Sequence, residues 1–326
     1  MKRILLFLLK ALLVLGGAAV CIAFYLYTIG FFDLSPAVGL LPAPSGKAYL
    51  DSAALQTALE EQGVALLEAQ PDEDREQAAA RLLEQGARML IVAQDDAAVS
   101  AALLQRAQTA GAAVLFVGQS PEASALAVGE NVWYLGSLAA YGGELLGHAM
   151  AMDYRDGLTA DANGDHLLQY YLYQSEDTPD QRQLAAYALE ESEHYGVYTA
   201  PVSYTGGDGA PLAFDAEALA GQTPPEAILC TNAQDARAAL AVAAALGWLD
   251  SEQPVRVYAA ADTPQQADEL VSEGVRAAAF YDPAAIAGAA AQMALNALEF
   301  QFVGLDTGLA PDAEGRFLLP YGLCQA

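Results

Sequence analysis

The chain has 326 residues, a hydrophobic fraction of 54% and a formal net charge of −27 at pH 7. Single hydrophobic cores rarely extend past about 250–300 residues, so the length predicts more than one lobe, and the apolar content excludes a disordered chain. The charge excludes nucleic acid as a partner, because a polyanion is repelled by a surface of its own sign.

Lys2, Arg3 and Lys10 are three of the 14 basic residues and form a short basic tail over residues 1–10. Residues 11–32 follow without a charge, and as a helix rising about 1.5 Å per residue they would extend roughly 33 Å, enough for a bilayer core. The segment is predicted to be a transmembrane signal anchor. Positive charge on its N-terminal side and Asp33 beyond it predict a cytoplasmic N-terminus and an extracytoplasmic domain at the cell membrane. No small-x-small site follows the apolar run, which favours an uncleaved anchor over a signal peptide. Pro36, Pro42, Pro44, Gly39 and Gly46 give residues 33–46 the composition of a linker.

From there short apolar runs alternate with helix-patterned stretches, the rhythm of βαβ units. The first half reads as helix 52–62, strand 64–68, helix 74–85, strand 89–93, helix 97–110 and strand 113–117. Gly63, Gly86 and Gly111 stand where a left-handed residue closes each helix. A strand at 133–135 and a helix at 141–154 lead to a second series: strand 168–173, helix 179–194, strands 197–202 and 227–230, helix 233–246, strand 255–259, helix 264–273, strand 277–280 and helix 284–300. The predicted fold is α/β, with two doubly wound parallel-sheet lobes over residues 47–326. The first lobe covers about 47–140 and the second about 150–262, the chain crossing back for the remainder.

Asp161, Asn163, Asp165 and Gln169 place oxygen-bearing side chains at positions 1, 3, 5 and 9 of a tight loop, with the Leu167 carbonyl at position 7. This is the spacing of a calcium loop, since a hard cation takes six to eight oxygens. Position 12 is Leu172, so an isolated EF-hand is excluded, and the same residue types also populate ordinary turns. No Gly-x-Ser-x-Gly elbow, phosphate loop or His-Glu-x-x-His motif is present, and three histidines in all leave no catalytic constellation. The chain reads as a binding protein, not an enzyme. His148 and His194 read as half-buried or helix-terminal residues, Tyr170, Tyr171 and Tyr173 as packing on the two faces of a strand, and Cys230 and Cys324 as small apolar side chains, a disulfide between them remaining open.

With this loop and the strand Pro225-Glu226-Ala-Ile-Leu-Cys-Thr-Asn232, the chain resembles the galactose/glucose-binding periplasmic protein family, the sugar receptors of ABC transport and chemotaxis. The resemblance extends with gaps from about Leu50 to Phe300 and takes in Leu82 to Gly86, Tyr134 to Gly136 and the Pro179-Asp180 pair. It implies the two-lobed binding-protein fold and a structural calcium completed by Glu226. It also implies a sugar site that includes Asn232 and Asp180, to which Arg182, Asp282 and Gln94 are the remaining candidates. At position 6 of the loop His166 stands where the family commonly has Gly. In the sugar site Thr178, Leu184, Ala261 and Ala93 stand where the family has His, Arg, Asp and Asn. Two functions follow from the resemblance. One is a membrane-anchored solute-binding protein that serves an ABC permease or a sensor and takes a carbohydrate, galactose- or glucose-like. The other is a scaffold or sensor partner that kept the fold and metal loop and lost the sugar.

Overall fold

The computed structural model describes residues 36–70, 73–129, 131–206 and 210–326. The predicted anchor 11–32 lies outside them, and no helix among the described residues is long and apolar enough to cross a membrane.

In chain order the elements are β1 (Ala37–Leu41), α1 (Ser52–Glu60), β2 (Ala65–Glu68), α2 (Arg75–Glu84), β3 (Ala87–Gln94), α3 (Ala101–Ala110), β4 (Ala113–Gly118), α4 (Ala123–Leu126), β5 (Val132–Gly136) and α5 (Ala139–Arg155), followed by β6 (Leu168–Tyr173), α6 (Pro179–His194), β7 (Thr199–Pro201), β8 (Ala227–Cys230), α7 (Ala233–Ala245), β9 (Arg256–Ala261), α8 (Pro264–Glu273), β10 (Ala277–Phe280), α9 (Pro283–Leu298), β11 (Arg316–Leu318) and β12 (Gly322–Gln325). They form two six-stranded sheets, ordered β11-β5-β4-β3-β1-β2 and β12-β10-β9-β8-β6-β7. Every pairing is parallel except β10 with β12. Each sheet therefore carries the doubly wound order 2-1-3-4-5 with one late strand added at its far edge.

Both faces of each sheet are covered, which is why the central strands are apolar at nearly every position rather than alternating. On the first sheet, α1 and α9 pack on one face through Leu55, Leu59, Ile286 and Met293, and α2 and α3 pack on the other through Leu82 and Leu103. On the second, α7 and α8 cover one face and α5 and α6 the other. The chain passes between lobes three times, at 137–138 after β5, at 281–282 after β10 and at 319–321 between β11 and β12.

The sequence reading placed 33–46 in a linker, whereas residues 37–41 form β1, buried along its whole length between β2 and β3. Pro36 and Pro42 bound the strand at positions where no ladder amide is needed. A Cβ on Gly39 would lie 2.8 Å from Leu90 Cδ2 and 3.1 Å from Leu82 Cδ1, so glycine lets α2 close down on the strand. The first lobe begins accordingly ahead of residue 47. The helix expected from Ala97 starts at Ala101, capped by the Ser100 hydroxyl accepting from the Leu103 amide. The helix expected to reach Phe300 ends at Leu298. Gly63, Gly86 and Gly111 do adopt φ of +72°, +99° and +67°. Cys230 and Cys324 are both free thiols, the second with its sulfur 3.0 Å from Asp268 Oδ1.

Candidate functional site

The carboxyl ends of the two sheets face one another, and ligands of doubly wound sheets bind beyond those ends. From the first lobe come Lys47, Tyr49, Asp95 and Tyr134; from the second, Asp180 and Asp262; from the crossings, Tyr281 and Tyr321. Several direct contacts tie them. Lys47 Nζ lies 3.5 Å from Asp262 Oδ1 and 5.2 Å from the centre of the Tyr49 ring. The Tyr281 hydroxyl donates to the Tyr49 carbonyl at 2.8 Å, and the Tyr49 hydroxyl donates to Asp95 at 3.1 Å. Tyr134 donates to the Gly118 carbonyl at 2.7 Å, and Tyr281 meets Tyr321 edge to face.

Burial, followed by the charges of Asp95, Asp180 and Asp262, pushes the Tyr49 phenol well above its ordinary range. Burial and then Asp180 do the same to Tyr134, and burial with Asp180 and Asp262 to Tyr321. The Lys47–Asp262 pair, joining the two lobes beyond the sheet ends, locates a shared cleft. Burial raises the Asp180 carboxyl above its usual value, and Lys47 offsets that only in part. Asp180 keeps an exposed side, and the protein atoms around its carboxyl set the direction of the shift. Burial also pushes Asp95 up, but the Ser45 hydroxyl and amide, Tyr49 and Arg75 outweigh it and hold Asp95 below the usual carboxylate range.

Of the sugar-site candidates, Asp180 is in the first turn of α6 and has no hydrogen-bond partner among the described residues. The others are engaged locally. Asn232 caps α7, its oxygen accepting from the Asp235 amide and its nitrogen donating to Asp235 Oδ2. Asp282 caps α9 by accepting from the Ala284 and Ala285 amides. Gln94 is buried and donates to the Gln119 carbonyl, tying the end of β3 to the turn after β4. Arg182 pairs with Asp177 at 2.8 Å on the surface. The sequence reading missed Tyr49, Tyr281 and Tyr321 altogether. Tyr321 lies between the short strands β11 and β12 and carries no motif, and only its place at a crossing brings it to the cleft.

At the opposite end of the second sheet lies the loop 161–169. Pairing of β6 with β8 sets Tyr170 beside Ala227, so the residue before β8, Glu226, falls against the residues before β6. Glu226 accepts from the Ala162 amide at 2.6 Å and from the Gln169 amide at 2.9 Å. Asp161 accepts from the Gly164 and His166 amides, Asn163 from the Asp165 amide and Asp165 from the Leu167 amide, and the Gln169 side chain donates to Asp165. His166 has φ +62°, so position 6 takes the left-handed conformation in which a glycine is usual, and its Nδ1 lies 3.1 Å from Asp161. Burial raises the Glu226 carboxyl, the Gln169 and Ala162 amides oppose it, and Asp161 and Asp165 add to the rise. The Tyr154 phenol is pushed up to about 12 by burial, then by the charges of Asp161, Glu226 and Asp165.

The donors of this loop are all oxygen, as a hard divalent cation requires, and each carboxylate oxygen accepting one amide retains a lone pair. Among the described residues, however, no three His, Cys, Asp or Glu side chains converge as a metal group, because the loop carboxylates turn onto the loop's own amides.

Residues 38–301 match the family model described as a periplasmic binding protein domain. No curated protein matches the chain by sequence. Among solved structures, an ABC transporter periplasmic solute binding protein from Actinobacillus succinogenes 130z with bound D-allose aligns at a TM-score of 0.62 and 16% identity, covering 89% of this chain and 97% of its own. A periplasmic ribose ABC transporter protein from Conexibacter woesei aligns at 0.62 and 16%, covering 89% and 91%. GanP, a glucose-galactose binding protein from Geobacillus stearothermophilus, aligns at 0.56 and 15%, covering 89% and 97%.

Proposed function

The chain belongs to the periplasmic binding protein domain family, a family of binding proteins rather than enzymes, and on that footing we propose that it is a membrane-anchored extracytoplasmic receptor that closes its two lobes around a carbohydrate. The observation that supports this most directly is the aromatic cluster at the facing sheet ends, where Lys47 of the first lobe lies over the Tyr49 ring and pairs with Asp262 of the second, and Tyr281 bonds the Tyr49 carbonyl and meets Tyr321 edge to face. Aromatic faces and carboxylates are the groups that pack against a sugar ring and accept its hydroxyls. A ligand touching both lobes favours the closed state by its differential affinity, and an ABC permease or a membrane sensor reads that state. The apolar run 11–32 supplies the anchor, with residues 1–10 cytoplasmic.

Calcium is part of the proposal. It would be held by Asp161, Asn163, Asp165, the Leu167 carbonyl, Gln169 and Glu226, and would cross-link the starts of β6 and β8. The left-handed backbone at His166 and the all-oxygen character of the loop, with Glu226 held against its first residues, support it.

A second reading, a scaffold or sensor partner without a sugar, draws on the local engagement of Gln94, Arg182, Asn232 and Asp282. Thermal melting with a panel of hexoses and pentoses, with calcium and with chelator, separates the two. A ligand at a hundred times its Kd stabilises by about 2.7 kcal/mol. The receptor reading expects one sugar to raise the transition; a panel with no effect, where calcium alone raises it, leaves the scaffold. A melt indifferent to chelator removes calcium from both.

A further inference from the structure

We propose that the base of the first lobe, the end remote from the cleft, sits on the phospholipid surface with Phe300 and Phe302 entering the headgroup region. The inference rests on the proposed anchor and adds to it the face that meets the membrane.

Three observations converge on that face. Phe300 is 94% exposed and Phe302 60%, and Leu305 next in the same loop is 42% exposed. Phe300 has φ +56°, a left-handed conformation that closes α9, where glycine is usual. An aromatic residue held there, with its side chain in water, gains nothing from the fold and is suited to an apolar or interfacial partner.

The second observation is where the chain enters. Pro36 lines a hollow of about 430 Å³ together with Arg88, Trp133, Leu298 and Phe300, at the starts of β1, β3 and β5 and the end of α9. From Phe32, the last residue of the apolar run, to Pro36 is four residue steps, which reach at most about 14 Å when fully extended. If residues 11–32 lie in the hydrocarbon core, Pro36 cannot stand farther than that from its edge, and the interfacial zone alone is several ångströms deep. Phe300, sharing the hollow with Pro36, is then within reach of the headgroups.

The third is charge. The chain carries 41 acidic residues, yet the lining of this hollow holds no Asp or Glu, and Arg88 is its charged residue. Glu299, accepting from the Gln301 side chain, and Asp306 stand in the same loop as the aromatic rings, so the relief from acidic charge is confined to the hollow itself and the face suits a zwitterionic surface. Aromatic side chains at such a level gain from the interface, where an apolar ring meets partly hydrated headgroups.

The test uses the full chain reconstituted in phosphatidylcholine vesicles, with Phe300→Trp as reporter and Tyr195→Trp, on the second lobe, as control. Emission is compared between ordinary and brominated lipid, the parent chain's own signal being subtracted. The proposal expects the reporter at 300 to lose most of its emission in brominated lipid while the reporter at 195 keeps its own. If the chain floats with the vesicles and the reporter at 300 is not quenched, the anchor stands and the seated base is overturned. If the chain does not float with vesicles at all, the anchor falls and the proposal with it. Crosslinking of Phe302→Cys between copies in vesicles, without quenching at 300, would assign the face to a second copy instead and also overturn it.

Discussion

Asp180 is the residue at which the cleft's electrostatics can be read directly. Its carboxyl is raised, first by burial, with Lys47 opposing, whereas an unfolded Asp titrates near 3.9. In the window above that value the folded chain holds the proton more tightly than the unfolded one, so stability falls as pH rises through it and recovers as pH falls. Glu226 has the same sign. Asp95 has the opposite sign, its contribution being lost only on acidification below the ordinary carboxylate range. In chelator the melting temperature should therefore rise as the pH is lowered toward the ordinary carboxylate range, and Asp180→Asn should remove part of the rise. A variant with the parent's slope would show that Asp180 titrates as an ordinary surface carboxylate. At this scale the tight turn 161–169 was legible because its Asp and Asn residues alternate within nine residues. The roles of Asn232 and Asp282 were not, because the residue types that bind hydroxyls also cap helices, and each stands one residue before a helix starts.

Helix α5 lies against α6 closely enough that backbone meets backbone. A Cβ on Gly147 would fall 2.2 Å from the Ala188 carbonyl oxygen, and one on Gly143 2.4 Å from that of Leu184. Ser192 fixes the approach, its single hydroxyl proton shared between the carbonyls of Gly147 at 3.0 Å and Ala188 at 2.9 Å. Replacing a helical glycine by alanine ordinarily stabilises by about 1 kcal/mol through backbone entropy. At Gly147 that gain is opposed by overpacking, which costs about 1–3 kcal/mol and more where the neighbour is backbone. Gly147→Ala should then lower the urea midpoint, while Gly288→Ala on the open face of α9, with nothing within 4 Å of the new methyl, should raise it. Equal effects of the two would mean that the helices separate freely. Elements with a helix-length period or a buried β-branched run were legible in the sequence, and so was the doubly wound rhythm. β1 was hidden by Pro36, Gly39 and Pro42, whose meaning as strand ends and a packing notch depends on α2. β11 and β12 have three and four residues and join sheets assembled from distant sequence, so no local pattern announces them.

For the molecule as a whole, three crossings make a hinge, and the question is what holds the lobes in the present arrangement. Among the described residues one side-chain ion pair bridges the cleft directly, and a hydrogen bond ties a crossing to the first lobe. Lys47–Asp262 is an ion pair with both side chains more than half exposed, a class that contributes about 0–1 kcal/mol and is screened by salt. The Tyr281 hydroxyl on the Tyr49 carbonyl is a half-buried hydrogen bond, of a kind that contributes about 0.5–1.5 kcal/mol and does not depend on salt. Removing it shifts a two-state balance by a factor of about 2 to 12, since each 1.4 kcal/mol is tenfold. With one dye on each lobe, Tyr281→Phe should lower the mean transfer efficiency of the ligand-free chain at any ionic strength, whereas Lys47→Ala should do so only at low salt. The reverse ranking would place the clasp at the ion pair and make closure salt-dependent. If the first lobe is seated by its base, the displacement measured in that experiment belongs to the second lobe, which carries Asp180 and Asp262 toward the tyrosines. A sensor or permease would then read the position of the lobe that is free to move.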